Sequence, residues 1–380
     1  MRLVLLGIMG RTPFAGVAWQ VLHYLEGFRR LGCDVAYLED TGTWPYDADR
    51  QEVTDDSTFT VAYIERLLGW LGLDDWAYVA PDGEAFGRSR RDVRRLLEQA
   101  DVLVNLTGAT VLREEHLRVP VRIYLETDPG LPQIEVAQGN AFTIDLLAGH
   151  THHFTFGENL GAPDCGIPAG RFAYEPTRQP VVLEWWQPSE APMAPYTTVA
   201  SWRQTEKDVE WQGETYLWSK HRQFETFLDL PRRVRVPLEL ALACDDADVI
   251  RRLRLAGWRV TDAVSLSRDI FSYRDYICGS RGEFSVAKDQ YVRLKSGWFS
   301  DRSACYLAAG KPVVTQDTAF GRVVPTGDGL FAVRTVDEAV AALEAVEDDY
   351  ARHSRAASEL AETRFAAEHV LRSLLERAGT

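Results

Sequence analysis

No stretch of this 380-residue sequence approaches the ~20 consecutive apolar residues that a helix needs to cross a bilayer. The opening MRLVLLGIMG is far shorter than that and lacks the cleavage pattern of a secretory signal, so a cytoplasmic protein with no membrane insertion is expected. Cysteine is scarce: Cys33, Cys165, Cys244, Cys278 and Cys305 are five residues, an odd number with no CxxC pair. That pattern suggests neither a disulfide framework nor a structural zinc site. The GxGxxG spacing of dinucleotide loops is missing from the loop Gly7 to Gly16, which disfavours NAD or FAD. His150-Thr151-His152-His153 has no carboxylate or cysteine at a recurrent ligand spacing, and Asp245-Asp246 reads as a helix start rather than a metal-binding loop, so no metal is expected. Positive charge is also in deficit, with 42 Lys and Arg against 56 Asp and Glu and a formal net charge of -14. Such a balance disfavours non-specific binding to nucleic acid or an anionic membrane surface, although a local basic cleft could survive it, and no nucleic-acid partner is expected.

What is present is globular composition, 46% hydrophobic and 26% charged. The length points to two domains of roughly 180 residues each. Apolar runs alternate with helical periodicity from the start: residues 2 to 8, an amphipathic segment with Val17, Val21, Leu25 and Phe28, and then DVAYLED. Helices near 60–71 and 92–99 and strands at 78–79, 102–106 and 121–125 continue the pattern, which predicts a mostly parallel sheet with ligand loops at the carboxyl ends of its strands. Prolines gather between Pro176 and Pro195 and mark a join. Beyond it, strands at 196–200, 238–243, 258–260 and 330–333, with an apolar segment Tyr276-Ile277-Cys278, repeat the alternation. The expected organisation is an N-terminal domain 1–185, a linker 186–196, a C-terminal domain 197–355, and a final helical segment 356–380 packing back on the first domain. Two doubly wound Rossmann-like α/β domains would then face each other across a cleft.

The stretch SGWFSDRSACYLAAGKPVVTQDTAFG, Ser296 to Gly321, carries the clearest chemistry. Ser300 is placed as the N-cap of a helix from Asp301 to Ala309, and the free N–H groups of its first turn, with Ser303 beside them, favour an anion such as a phosphate. Gln316 and Asp317 follow in the next loop. Arg203, Lys220 and Lys288 flank this helix in sequence and either help to hold a diphosphate or are ordinary surface charge. Asp128, in the loop after the strand at 121–125, is either a general base or the first residue of an Asp-Pro-Gly turn. Trp44, Tyr46, Trp70 and Trp76 either line an acceptor pocket or, as aromatics more often do, fill the core.

PFAGVAWQVLHYLEGFRRLGCDVAYLED, SWRQ followed by SKHRQF, and the Ser296 to Gly321 stretch together resemble the GT-B superfamily of glycosyltransferases over nearly the full chain. The resemblance implies a hexosyltransferase-class enzyme that moves a sugar, without a metal or other cofactor, from a UDP- or dTDP-sugar held in the C-terminal half to an acceptor in the N-terminal half. A small-molecule acceptor of natural-product type is the expectation. The donor-binding residues implied are Gly16, Arg203, Lys220, Lys288, Ser300, Asp301, Arg302, Ser303, Gln316 and Asp317. Two departures matter. Cys305 stands where retaining members carry a ribose-binding carboxylate, and no histidine lies between Gly7 and Gly16, so Asp128 becomes the candidate catalytic group, with His23 and Glu158 behind it. A catalytically silent nucleotide-sugar-binding protein of the same fold is the alternative, and a NAD-dependent enzyme a more distant one.

Overall fold

The computed structural model describes residues 1–188 and 195–380; of the expected linker, residues 189–194 lie outside the described residues. The first sheet contains β1 (Arg2–Leu6), β2 (Asp34–Glu39), β3 (Trp76–Val79), β4 (Ala85–Gly87), β5 (Val102–Leu106), β6 (Val121–Glu126), β7 (His152–Thr155) and β8 (Glu175–Pro176), in the spatial order β8-β7-β6-β5-β1-β2-β3-β4. Every pair is parallel except β3 with β4. Its central strands are continuous apolar runs because helices cover both faces. Leu3 to Leu6 and Val102 to Leu106 are accordingly buried throughout.

The second sheet contains β9 (Tyr196–Ser201), β10 (Leu238–Ala243), β11 (Arg259–Asp262), β12 (Gly282–Ser285), β13 (Val313–Gln316) and β14 (Leu330–Val333), all parallel, in the order β11-β10-β9-β12-β13-β14. Five helices matter most for the site: α1 (Ala15–Arg30), α2 (Ile270–Gly279), α3 (Asp301–Ala308), α4 (Tyr350–Arg364) and α5 (Ala367–Arg377). The apolar segment Tyr276-Ile277-Cys278 lies in α2, and the strand follows only at Gly282. Three apolar residues show no period of their own, so helix and strand could not be told apart there. The loop expected over 126–140 contains a helix, Leu131–Ala137, and Asp246 caps the helix Ala247–Leu255 by accepting from the N–H groups of Asp248 and Val249.

One apolar core joins the two halves, running from Leu5 and Trp19 to Ala304 and Cys305. The Trp19 indole N–H donates to the Ile270 carbonyl at 2.9 Å, tying α1 to α2. The C-terminal α5 lies on α1 so closely that a Cβ at Gly27 would stand 2.5 Å from Leu371 Cδ1. Loops close the contact further along. Gly297, at φ +77, donates its N–H to the Thr318 carbonyl at 2.7 Å, and a Cβ there would meet the Asn159 backbone nitrogen at 2.4 Å.

That position combines a left-handed backbone with backbone on the opposing half, so a side chain has no cheap way to fit. Gly297→Ala is expected to destabilise the protein by at least about 1 kcal/mol, seen as a lower midpoint in urea unfolding. An unchanged midpoint would show that the two loops do not meet so tightly.

Candidate active site

The carboxyl ends of both sheets converge on the space in front of α3. Ser300 occupies the N-cap position with extended backbone, but its hydroxyl makes no capping hydrogen bond, contrary to the sequence expectation. The first turn is therefore not capped by a side chain, and Ala304 is the first residue whose N–H finds a helical carbonyl, that of Ser300 at 3.1 Å. The amides of Asp301, Arg302 and Ser303 are the unclaimed donors that every helix start leaves. Ser303 is fully buried and its hydroxyl has no partner among the described residues.

Arg302 does not reach into the cleft. Its guanidinium is buried inside the second half, with Nε on the Glu283 carboxylate at 2.7 Å, one terminal nitrogen on the Val199 carbonyl at 2.6 Å and the other on Ser285 Oγ at 2.8 Å. Each of its three nitrogens is engaged inside the second half, so its sequence assignment as a donor ligand gives way to a structural one. Glu283, fully buried, was missed by sequence reasoning, because a glutamate in a strand carries no local sign of a partner on a helix 19 residues away.

Lys220 sits beside this pair, with only 8% of its surface exposed. Burial pushes its pKa well below the ordinary lysine range, and the Arg302 charge adds to that against the pull of Glu283. Among the described residues its amine has no hydrogen-bond or ion-pair partner. Arg203, from the same loop region, is exposed and likewise unpaired.

Asp128 rises from the loop after β6 and crosses the cleft. Its carboxylate receives Lys288 Nζ at 3.0 Å, Lys207 Nζ at 3.1 Å and the Tyr291 hydroxyl. Both ammonium groups lie over the Trp218 ring, at 3.6 Å for Lys288 and 4.6 Å for Lys207. The Trp298 indole N–H donates to the Thr127 carbonyl at 3.0 Å and its ring packs on Tyr291. Burial alone would raise the Asp128 pKa, but the two lysines override it and hold the carboxyl well below the usual range. A carboxylate held that firmly in its ionised form is a weak base. Burial lowers the Lys288 pKa to about 8 against the pull of Asp128.

The remaining sequence candidates lie apart from this centre. His23 is enclosed among Trp19, Trp185 and Trp186. Its two ring nitrogens face the Val182 N–H and the Trp186 indole N–H, each at 3.0 Å, of which a neutral ring can accept only one. Burial, with Arg30, lowers its pKa to about 3, so it is a core histidine rather than a catalytic one. Cys305 Sγ faces it at 3.9 Å, turned toward α1. Glu158 is tied to Arg178 at 2.5 Å at the edge of the first sheet. Asp301 accepts from Gln20 of α1 at 3.2 Å, and burial raises its pKa to about 6. Gly16, in the exposed first turn of α1, would place a Cβ 3.7 Å from the Tyr273 hydroxyl. Gln316 donates to Gln223 at 2.6 Å, and Asp317 pairs with Arg334 at 2.9 Å while capping Ala319, so both brace loops. His150 and His153 bond to the Leu146 and Leu147 carbonyls, and among the described residues no group of three or more His, Cys, Asp or Glu could hold a metal ion. No described helix is long and apolar enough to cross a membrane.

No family model and no curated protein matches the chain. Solved structures do. Anabaena HepE, solved in complex with UDP and glucose, is 13% identical over the whole of both chains with a TM-score of 0.58. An α-glucosyltransferase in complex with UDP and a 13-mer DNA is 10% identical, again over the whole of both chains, with a TM-score of 0.61. AviGT4, a glycosyltransferase involved in avilamycin A biosynthesis, is 12% identical over all of this chain and 97% of its own, with a TM-score of 0.56. The chain therefore has the GT-B fold, two Rossmann-like domains facing across a cleft. One expectation is corrected by the same comparison. The net charge argues against a nucleic-acid partner, yet structures of this fold are complexed with DNA. A whole-chain charge averages over the surface and does not describe the local field at a cleft.

Since Arg302 and Glu283 are buried as a pair, removing one leaves the other charge uncompensated. Arg302→Met is expected to cost about 3–5 kcal/mol in denaturant unfolding, and adding Glu283→Gln should recover most of the loss. A single variant as stable as the parent would mean that the pair does not anchor α3.

Proposed function

We propose that this protein is a glycosyltransferase that takes its sugar from a nucleotide-diphosphate sugar, with the diphosphate held at the start of α3. The observation that carries the reading is Lys220, a largely buried residue whose amine has no partner among the described residues and lies near Arg302 of α3, together with the uncapped first turn of that helix and the orphaned Ser303 hydroxyl. A buried polar group without a partner is costly in a folded protein, and an anion supplies the partner. Helix N–H groups and a lysine are the donors that phosphate oxygens require. UDP is the nucleotide favoured, because HepE and the α-glucosyltransferase were solved with it.

In the transfer, the bond between the sugar's anomeric carbon and the diphosphate oxygen breaks, the electron pair leaves with the diphosphate, and the acceptor's hydroxyl oxygen forms the new bond as its proton passes to the departing diphosphate. The amides of residues 301–303 and Lys220 are aimed at the charge that builds on the leaving group, the kind of fixed electrostatic support whose removal typically costs on the order of 10²- to 10³-fold in rate. Asp128 acts as a positioning residue: it gathers Lys207 and Lys288 at the mouth of the site. A bound diphosphate competes for those lysines, and as they turn to it the carboxylate regains basicity on the acceptor side.

The pKa of Lys220 gives the binding step a sign. Free, its pKa is depressed; next to a diphosphate it rises, so the complex holds more protons than its parts and affinity falls as pH increases. Calorimetry of UDP binding in buffers of different ionisation heat should show net proton uptake. Lys220→Met should bind UDP at least about tenfold more weakly and take up fewer protons. Absence of UDP binding by the folded parent protein would sink the reading, while binding without slow hydrolysis of any UDP-sugar would point to a silent binding protein.

A further inference from the structure

A cavity of about 300 Å³ opens at the carboxyl ends of β7 and β8, outside the α3 site and roofed by the corner between α4 and α5. The first half contributes Glu158, Thr177 and Arg178, and the helices contribute Arg364, His369 and Arg377. His369 and Arg377 are eight residues apart on α5, with Ser373 midway, so all three share one helix face.

Its charges are only partly balanced. Glu158 is taken up by Arg178 at 2.5 Å. Arg377 is steadied by the Pro176 carbonyl at 2.8 Å and stands 3.7 Å from Glu175. Arg364, the last residue of α4, has no hydrogen bond or ion pair among the described residues. Thr177 is 95% buried at the cavity wall, 5% of its surface remaining open, and its hydroxyl has no partner there either. The exposed guanidinium of Arg364, that of Arg377 held nearby and the Thr177 hydroxyl line one small space in which donors outnumber the Glu158 carboxylate already taken by Arg178.

We propose that this cavity is a second anion site, which binds a phosphomonoester dianion, either inorganic phosphate or the terminal phosphate of a small metabolite. The guanidinium of Arg364 supplies the planar fork that phosphate oxygens take in pairs, and the Thr177 hydroxyl supplies a third donor. A volume at the lower end of ligand pockets suits a phosphate with a short carrier rather than a nucleotide. The negative charge that the wall carries at Glu158 is offset by Arg178 at 2.5 Å, with Arg364 and Arg377 also near it.

The test is calorimetric titration of the full chain with inorganic phosphate and with glycerol 3-phosphate. Binding is expected, and Arg364→Ala and Thr177→Val should each weaken it by about tenfold or more while UDP affinity stays unchanged. Equal affinities would identify inorganic phosphate as the fitting ligand, and a tighter glycerol phosphate would identify the ester. If phosphate binds Arg364→Ala and Thr177→Val as well as the parent, or is lost instead in Lys220→Met, the ion sits at α3 and the second site does not exist. Failure of UDP binding with phosphate binding intact would remove the donor reading alone.

Discussion

Everything at the cleft depends on where α3 begins, and the buried contact between Arg302 and Glu283 fixes that. A guanidinium removed from water is tolerable only when its donors are satisfied in good geometry. Here they are met by the carboxylate, the Val199 carbonyl and Ser285 Oγ, which belong to β9 and β12. The helix is thus locked to two central strands by a charge that has no other place to go, and its first turn is left pointing at the space between the sheets. Lys220 shares the same pocket of charge, and burial followed by the Arg302 guanidinium lowers its pKa.

The two halves meet in two physically different ways. Around α1, α2 and α3 they share a packed apolar core in which Trp19, Trp186 and His23 interlock. At the mouth they meet through Asp128 and the lysines over Trp218, a polar contact that an anion can rearrange. Apolar packing is largely indifferent to a nucleotide, whereas the lysine contact competes with it directly. Rearrangement on binding is thus expected at the Asp128 side, with the core as the fixed part.

Much of the architecture was legible in the sequence because alternating strands and helices leave a periodic trace, and β1, β5 and β10 fall within a few residues of their predicted runs. The start of α3 at Asp301 was legible too, since a helix start is a local feature. What stayed hidden depended on distance. Asp128 is 79 residues from Lys207 and 163 from Tyr291, and nothing local in either loop announces the other. Arg302 and His23 looked available because a sequence shows residue type but not burial. The net charge of -14 is a poor guide for a related reason, as it reports the sum of the surface and not the field at the cleft.

The central claim is that the diphosphate sits on the first turn of α3, and amide hydrogen exchange reads that turn directly. With saturating UDP, the amides of Asp301, Arg302 and Ser303 should exchange more slowly than in the free protein, alongside the loop around Lys220. Unchanged exchange at those three amides under conditions where UDP is bound would contradict the account and place the nucleotide elsewhere in the cleft.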